Sequence, residues 1–266
     1  MPAVAGPNRT DGWETPIGKH SAWEAAQRLF AGATGGDSWN GTLQHDKTLR
    51  RPGTSKTRSA LPKGTTLSAP ESLTLQSEGR SYTLLMWTGA LPDDAADTSA
   101  GFAGQFTVLA VFPAGSNDAT DVVEVKTDRE TWLEPGPLLG KENSFRLMNA
   151  HHNSSQGYLI TDLFHLRGGR MRRIASVFTL NNRAGCEDTF EEKLQWRIKS
   201  AGINPPRIMA AVDLVHTLPE DDDCEQTSKK PVQRFQDSYR WNPNRRSYVR
   251  EAGNLNALDK WNEGHM

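Results

Sequence analysis

Residues 82–87 read Tyr-Thr-Leu-Leu-Met-Trp, and residues 106–112 read Phe-Thr-Val-Leu-Ala-Val-Phe. Each run is apolar apart from one threonine, so neither carries the 3.6-residue period of a helix with one wet face. Both are short and rich in aromatic and β-branched residues, and Gly79 and Gly89 bound the first. The pair predicts two strands covered on both faces. The rest of the chain is best understood outward from them.

Toward the C-terminus, Asp121-Val122-Val123-Glu124-Val125-Lys126 predicts a half-exposed strand. Strands at Phe145–Asn149 and Tyr158–Leu166 follow. Arg167-Gly168-Gly169-Arg170 is a hairpin signal, because both glycines can adopt positive φ in a two-residue turn. The return strand is Met171–Leu180. Further on, Leu194, Trp196 and Ile198 alternate with Lys193, Gln195, Arg197 and Lys199. Phe235, Tyr239 and Trp241 alternate with Arg234, Gln236, Ser238 and Arg240, and Asp237 interrupts their apolar face. This period of two belongs to sheets with one wet face. Ile208–Leu218 lies between the two segments, and Tyr248-Val249 closes a last hairpin.

No alternation of β and α units is present, so the pairing is expected to be antiparallel. About ten strands rarely stay open and flat, which predicts an antiparallel β-sandwich or irregular barrel. Two short helices frame it. Ser21-Ala22-Trp23-Glu24 is a capping box and predicts a helix over 22–31 with Trp23, Ala26 and Phe30 on one face. Leu255, Leu258 and Trp261 follow Asn254 at helical spacing. The expected organisation is an N-terminal arm and helix over 1–32, a single antiparallel β domain over 33–250 and a C-terminal helix and tail over 251–266. Regular strands are expected mainly from residue 80, with short ones near 65–76.

The 266 residues are 36% hydrophobic and 24% charged, with a net charge of -1. General nucleic-acid binding usually needs a basic excess that this chain lacks. No run of about 18 apolar residues predicts a membrane span. The start, Met1-Pro2-Ala3-Val4-Ala5-Gly6, has neither the charged nor the apolar region of a signal peptide. It fits a cytosolic chain or the mature part of an exported one. The two cysteines favour export. Cys186 follows one strand and Cys224 sits in the acidic loop after another, so both lie at strand ends where loops can meet. They are expected to form a disulfide in a periplasmic or secreted protein. Two cysteines alone are too few for a structural zinc site.

Two segments carry candidate chemistry. The first runs from Asn149 through His151, His152, Asn153, Ser154, Ser155 and Gln156 to Tyr158. Its histidines are weak candidates as catalytic bases or as metal ligands with His165, and Ser154 is a weak candidate nucleophile. On a strand, however, adjacent side chains point to opposite faces. A hydrogen-bonded turn explains the polar residues more simply. The second is the arginine set Arg167, Arg170, Arg172 and Arg173. Guanidinium groups suit phosphates and carboxylates, and an anion between cross-strand arginines relieves their repulsion. The structural alternative is a solvated hairpin tip. Arg167, Arg170, Arg172, Arg173, Asn153 and Gln156 are therefore the candidate ligand-binding residues.

No Gly-x-Ser-x-Gly elbow, Gly-x-Gly-x-x-Gly, Walker loop, His-Glu-x-x-His or Cys-x-x-Cys occurs. No cofactor is implied. The expected function is a non-enzymatic binding module for a polar or anionic ligand or an envelope or protein partner. The alternative is a hydrolase or metal-dependent enzyme built on the His151/His152 loop.

Overall fold

The computed structural model describes residues 12–31, 42–43, 48–52, 56–61, 65–90, 105–127, 130–140, 142–152, 156–182, 189–199, 205–219, 227–229 and 231–265. Among the described residues the chain is mainly β with two short α-helices. It divides into two compact units, Met1–Thr127 with Arg167–Met171, and Asp128–Leu166 with Arg172–Met266. The stretch 33–250, read above as one β domain, contributes to both. The tip of one long hairpin belongs to the first unit although its strands belong to the second.

The first unit begins with a 3-10 turn, Gly12–Glu14, and a small hairpin of β1 (Pro16–Ile17) and β2 (His20–Ser21). Helix α1 (Ala22–Leu29) follows. Both halves of its capping box form: Ser21 Oγ accepts from the Glu24 N–H and Glu24 accepts from the Ser21 N–H. The buried face is Ala22, Ala25, Ala26 and Leu29, which differs from the expected one. Trp23 is half-buried and packs edge-on against Trp13 at 5.2 Å. Phe30 leaves the helix as its extended C-cap and enters β3 (Phe30–Ala31), which pairs with β4 (Thr42–Leu43). Small alanines let the helix backbone come close to the core, and the larger rings go to its ends.

The main sheet of this unit contains β5 (Leu49–Arg50), β6 (Thr57–Arg58), β7 (Thr66–Leu67), β8 (Glu71–Ser77), β9 (Arg80–Ala90), β10 (Gln105–Pro113) and β11 (Asp121–Lys126). Their order is β6-β5-β11-β10-β9-β7, with β8 also on β9. β9 and β10 pair from Tyr82↔Pro113 to Ala90↔Gln105. As the two apolar runs require, Leu84–Trp87 and Phe106–Phe112 are buried on both faces. Trp87 is fully buried, edge-on to Phe30 at 5.9 Å and Phe112 at 6.5 Å. Two features depart from expectation. The sheet is mixed, because β5 runs parallel to β11 at Arg50↔Val123. β11 is also buried from Asp121 to Val125 rather than half-exposed. Its two carboxylates tolerate burial because arginines cover them: Arg50 pairs with Asp121 at 2.6 Å, and Arg58 with Glu124 at 2.7 Å.

The second unit holds β12 (Glu130–Pro135), β13 (Ser144–His152), β14 (Gln156–Arg167), β15 (Arg170–Asn182), β16 (Thr189–Lys199), β17 (Arg207–Pro219), β18 (Thr227–Lys229), β19 (Gln233–Asn242) and β20 (Ser247–Gly253). They follow the order β12-β13-β14-β15-β16-β17-β19-β20, with β18 on β17. Except that β17 pairs with β19, the neighbours are sequential, as short antiparallel connections favour. The sheet folds across a shared core: Leu163, Ile174 and Val177 of β14 and β15 cluster with Ile208, Ala210 and Val212 of β17 and Tyr239 of β19. Helix α2 (Leu255–Glu263) adds Leu255 and Leu258 to it. Asp237, the residue that breaks the apolar alternation of β19, is buried for a reason. Its carboxylate accepts from Arg250 Nε at 2.6 Å, Arg250 Nη2 at 2.9 Å and the Leu255 N–H that starts α2 at 3.2 Å. Gly253 makes room, since a Cβ there would sit 2.0 Å from Asp237 Oδ1.

Cys186 and Cys224, the expected disulfide, lie outside the described residues, as do Asn153, Ser154 and Ser155. Among the described residues no helix is long and apolar enough to cross a membrane.

Candidate functional site

The hairpin tip is built from the sequence signal that announced it. Gly168 and Gly169 have φ of 57° and 72°, which only glycine adopts without strain in succession. Gly169 also lies close against Thr120, where an added Cβ would be 2.8 Å from Oγ1. Thr120 Oγ1 donates to the Gly169 carbonyl at 2.9 Å. Next to the turn, the Met171 N–H donates to Asp121 Oδ2 at 2.7 Å. Arg50 Nη2 donates both to Asp121 Oδ2, at 2.6 Å, and to the Met171 carbonyl, at 2.7 Å. Asp121 thus anchors the hairpin backbone and orients the Arg50 guanidinium together.

These contacts leave a cavity of about 180 Å³ whose walls include Thr48, Arg50, Thr120, Asp121 and Arg170. The volume is well below the several hundred Å³ of a drug-sized pocket, so it suits a compact head group. The charge of Arg50 is matched by Asp121. Arg170 is exposed and makes no hydrogen bond or ion pair among the described residues. Among the described residues the cavity therefore carries one uncompensated positive charge, and two guanidinium groups that can donate to oxygen.

The four arginines singled out from sequence do not converge. Arg167 turns to Glu78, with Nε 3.3 Å from Oε1. Arg173 pairs with Asp162 at 3.4 Å, whose pKa burial raises and the Ser176 hydroxyl and the Arg173 charge lower. Arg172 is half-buried. Arg172 and Arg173 belong to the second unit, while Arg167 and Arg170 belong to the first. Only Arg170 lines the cavity.

The histidines are also apart. His151 and His152 occupy successive positions at the end of β13. His151 stacks on Tyr158 across the strand pair at 5.3 Å, and His152 is exposed. His165 is 1% exposed inside the second unit. It bonds Glu142 through Nε2 and meets Trp241 and Tyr248 edge-on, each at 5.7 Å. No group of three His, Cys, Asp or Glu able to hold a metal exists among the described residues. Gln156 lies in β14.

Sequence reasoning missed Arg50, Thr48, Thr120 and Asp121 as cavity residues. Arg50 and Asp121 are 71 positions apart, and no local pattern joins them. One faint signal exists: Asp121 and Glu124 break an otherwise apolar strand, which buried carboxylates do only beside a partner cation.

No family model, no curated protein and no solved structure matches this chain.

Proposed function

We propose that this chain is a non-enzymatic binding module that holds a compact anionic group, a phosphate or carboxylate, in the cavity beside the Gly168-Gly169 turn. The observation that carries the reading is Arg170, exposed and unpaired at a small cavity that also holds the Arg50 guanidinium. Asp121 holds Arg50 in place, so one donor group is preorganised before the ligand arrives. Arg170 then supplies the charge that selects an anion over a neutral group.

Titration of the intact protein with inorganic phosphate and with acetate, followed by calorimetry or backbone NMR, tests this. Saturable binding is expected, weaker at high salt because Arg170 is exposed. Arg170→Ala should weaken it at least about tenfold, the scale of one charged hydrogen bond, with melting unchanged. Arg172→Ala should bind like the parent. Failure of both anions to perturb Thr120 and Arg170 overturns the reading.

The same reading takes the module to be periplasmic or secreted, with Cys186 bonded to Cys224. Alkylation of the unreduced, denatured protein is expected to add nothing to its mass. Labelling of both cysteines counts against export.

A further inference from the structure

β15 and β16 pair at Asn181↔Glu191 and Asn182↔Phe190, beside their connection. One step further along, a side chain replaces the ladder: the Leu180 N–H donates to Glu192 Oε2 at 2.8 Å. Asn262 of α2 reaches the same oxygen, with Nδ2 donating at 3.2 Å. One carboxylate oxygen thus takes both donors. The other, Glu192 Oε1, is buried without a hydrogen-bond partner, and so is Asn262 Oδ1. Asn262 is 1% exposed. Two buried orphan acceptors on two groups already in contact are costly. Turning the amide round only brings an acceptor against the carboxylate. A proton on Oε1 resolves both at once, because a carboxylic acid and a carboxamide can share two reciprocal hydrogen bonds.

We propose that Glu192 is a proton-operated latch for the C-terminal helix: protonated, it bonds Asn262 and holds α2 down, and ionised, it releases the end of that helix. The segment it controls carries Trp261, edge-on to Phe190 of β16 at 4.7 Å, and the exposed His265, which stacks on Trp261 at 3.8 Å. The surroundings suit the role. Burial pushes the Glu192 carboxyl up to about 7, the Asp259 charge on α2 adds to the rise, and the Leu180 and Asn262 hydrogen bonds oppose it. Among the described residues no lysine or arginine pairs with Glu192. Its neighbour Glu191 takes Lys193 at 3.0 Å, and its partners across the strands are the apolar Leu180 on β15 and Leu214 on β17. Lys260 and Glu263 are exposed on α2.

Hydrogen exchange of the α2 amides in the intact chain tests the latch between pH 4 and 8.5, read as the ratio of parent to Glu192→Gln rates so that intrinsic exchange cancels. Glutamine keeps the shape and always donates. The ratio should be near one at the acid end and rise about tenfold or more at the alkaline end, the scale of a shift of more than one pKa unit. A ratio that stays flat overturns the proposal. Asp259→Asn supplies a second reading that does not depend on how Glu192→Gln folds. It should move the midpoint of helix release to lower pH in a chain that retains Glu192. An unmoved midpoint also overturns the proposal.

Discussion

The pair β9–β10 in the first unit and the strands β16 and β19 in the second solve one problem in two ways. β9 and β10 are apolar on both faces, and Trp87 at their centre is fully buried between Phe30 and Phe112. β16 and β19 bury one face only, so Leu194, Trp196, Phe235 and Trp241 stay partly exposed while lysines and arginines fill the other side. The carboxylates of the two units differ at one position, Glu192. In the first unit Asp121 and Glu124 are neutralised by arginines. In the second, Asp237 is likewise neutralised by Arg250, but Glu192 is held by an amide N–H and a carboxamide, which leaves its charge to pH. Deeply buried carboxylates have their charge cancelled in both units, whereas the half-buried Glu192 stays titratable at the sheet's edge.

The largest effect expected from this contrast is at the tryptophans. Trp87→Ala should destabilise the first unit by about 4 kcal/mol, through lost burial and a cavity. Trp196→Ala should cost the second about 1–2 kcal/mol, because less of the ring leaves water. Denaturant unfolding followed with a probe in each unit separates the two, and equal losses would break the comparison. Next comes Asp121→Asn. It leaves Arg50 and the Met171 amide without their anion, at a cost of about 3 kcal/mol.

The carboxyl of Glu192 separates the units by pH. Its folded value near 7 lies above its ordinary 4.5, so the folded state keeps a proton that the unfolded chain gives up. Stability from this group is full below about pH 4.5 and is lost as pH rises through 7. The second unit should lose about 2 kcal/mol over that window once the partial exposure of the group is allowed for. Glu192→Gln should remove that slope, as paired melting curves at pH 5 and pH 8 would reveal.

The smaller effects lie at the turn. Gly169→Ala meets both a positive φ and Thr120, and should cost about 2 kcal/mol. Gly168→Ala meets only the φ, with Glu78 Oε2 the nearest atom at 3.6 Å, and should cost about 1 kcal/mol. Arg170→Ala should shift stability by less than about 0.5 kcal/mol while weakening anion binding at least about tenfold. Chemical denaturation of the three variants orders them.

The fold was more legible than the site. Continuous apolar runs and strict alternation are local, and local patterns located most of the strands between Tyr82 and Val249, though not β12 or β18, and the helix after Asn254. Asp237 looked like a flaw in β19 until Arg250 and the first amide of α2 were found around it. β12, with the half-buried Thr131-Trp132-Leu133-Glu134, has no clear period and no local pattern marks it. Of the arginine cluster, sequence proximity suggested four partners, but alternation along β15 and the end of the turn sent them to different neighbours.

The sequence by itself determined that this is a β protein, where its long strands run, that Ser21 and Glu24 cap a helix, and that Gly168-Gly169 turn a hairpin. Those outcomes follow from backbone sterics and from the period of apolar residues, both of which act over a few positions. Only the tertiary structure decided that β5 lies parallel to β11, that Arg50 crosses to Asp121 and Met171, that α1 packs on alanines and not on Trp23, and that Asn262 meets Glu192. Each of these depends on groups brought together from distant parts of the chain, where burial makes a charge or an amide seek a partner that no local pattern names.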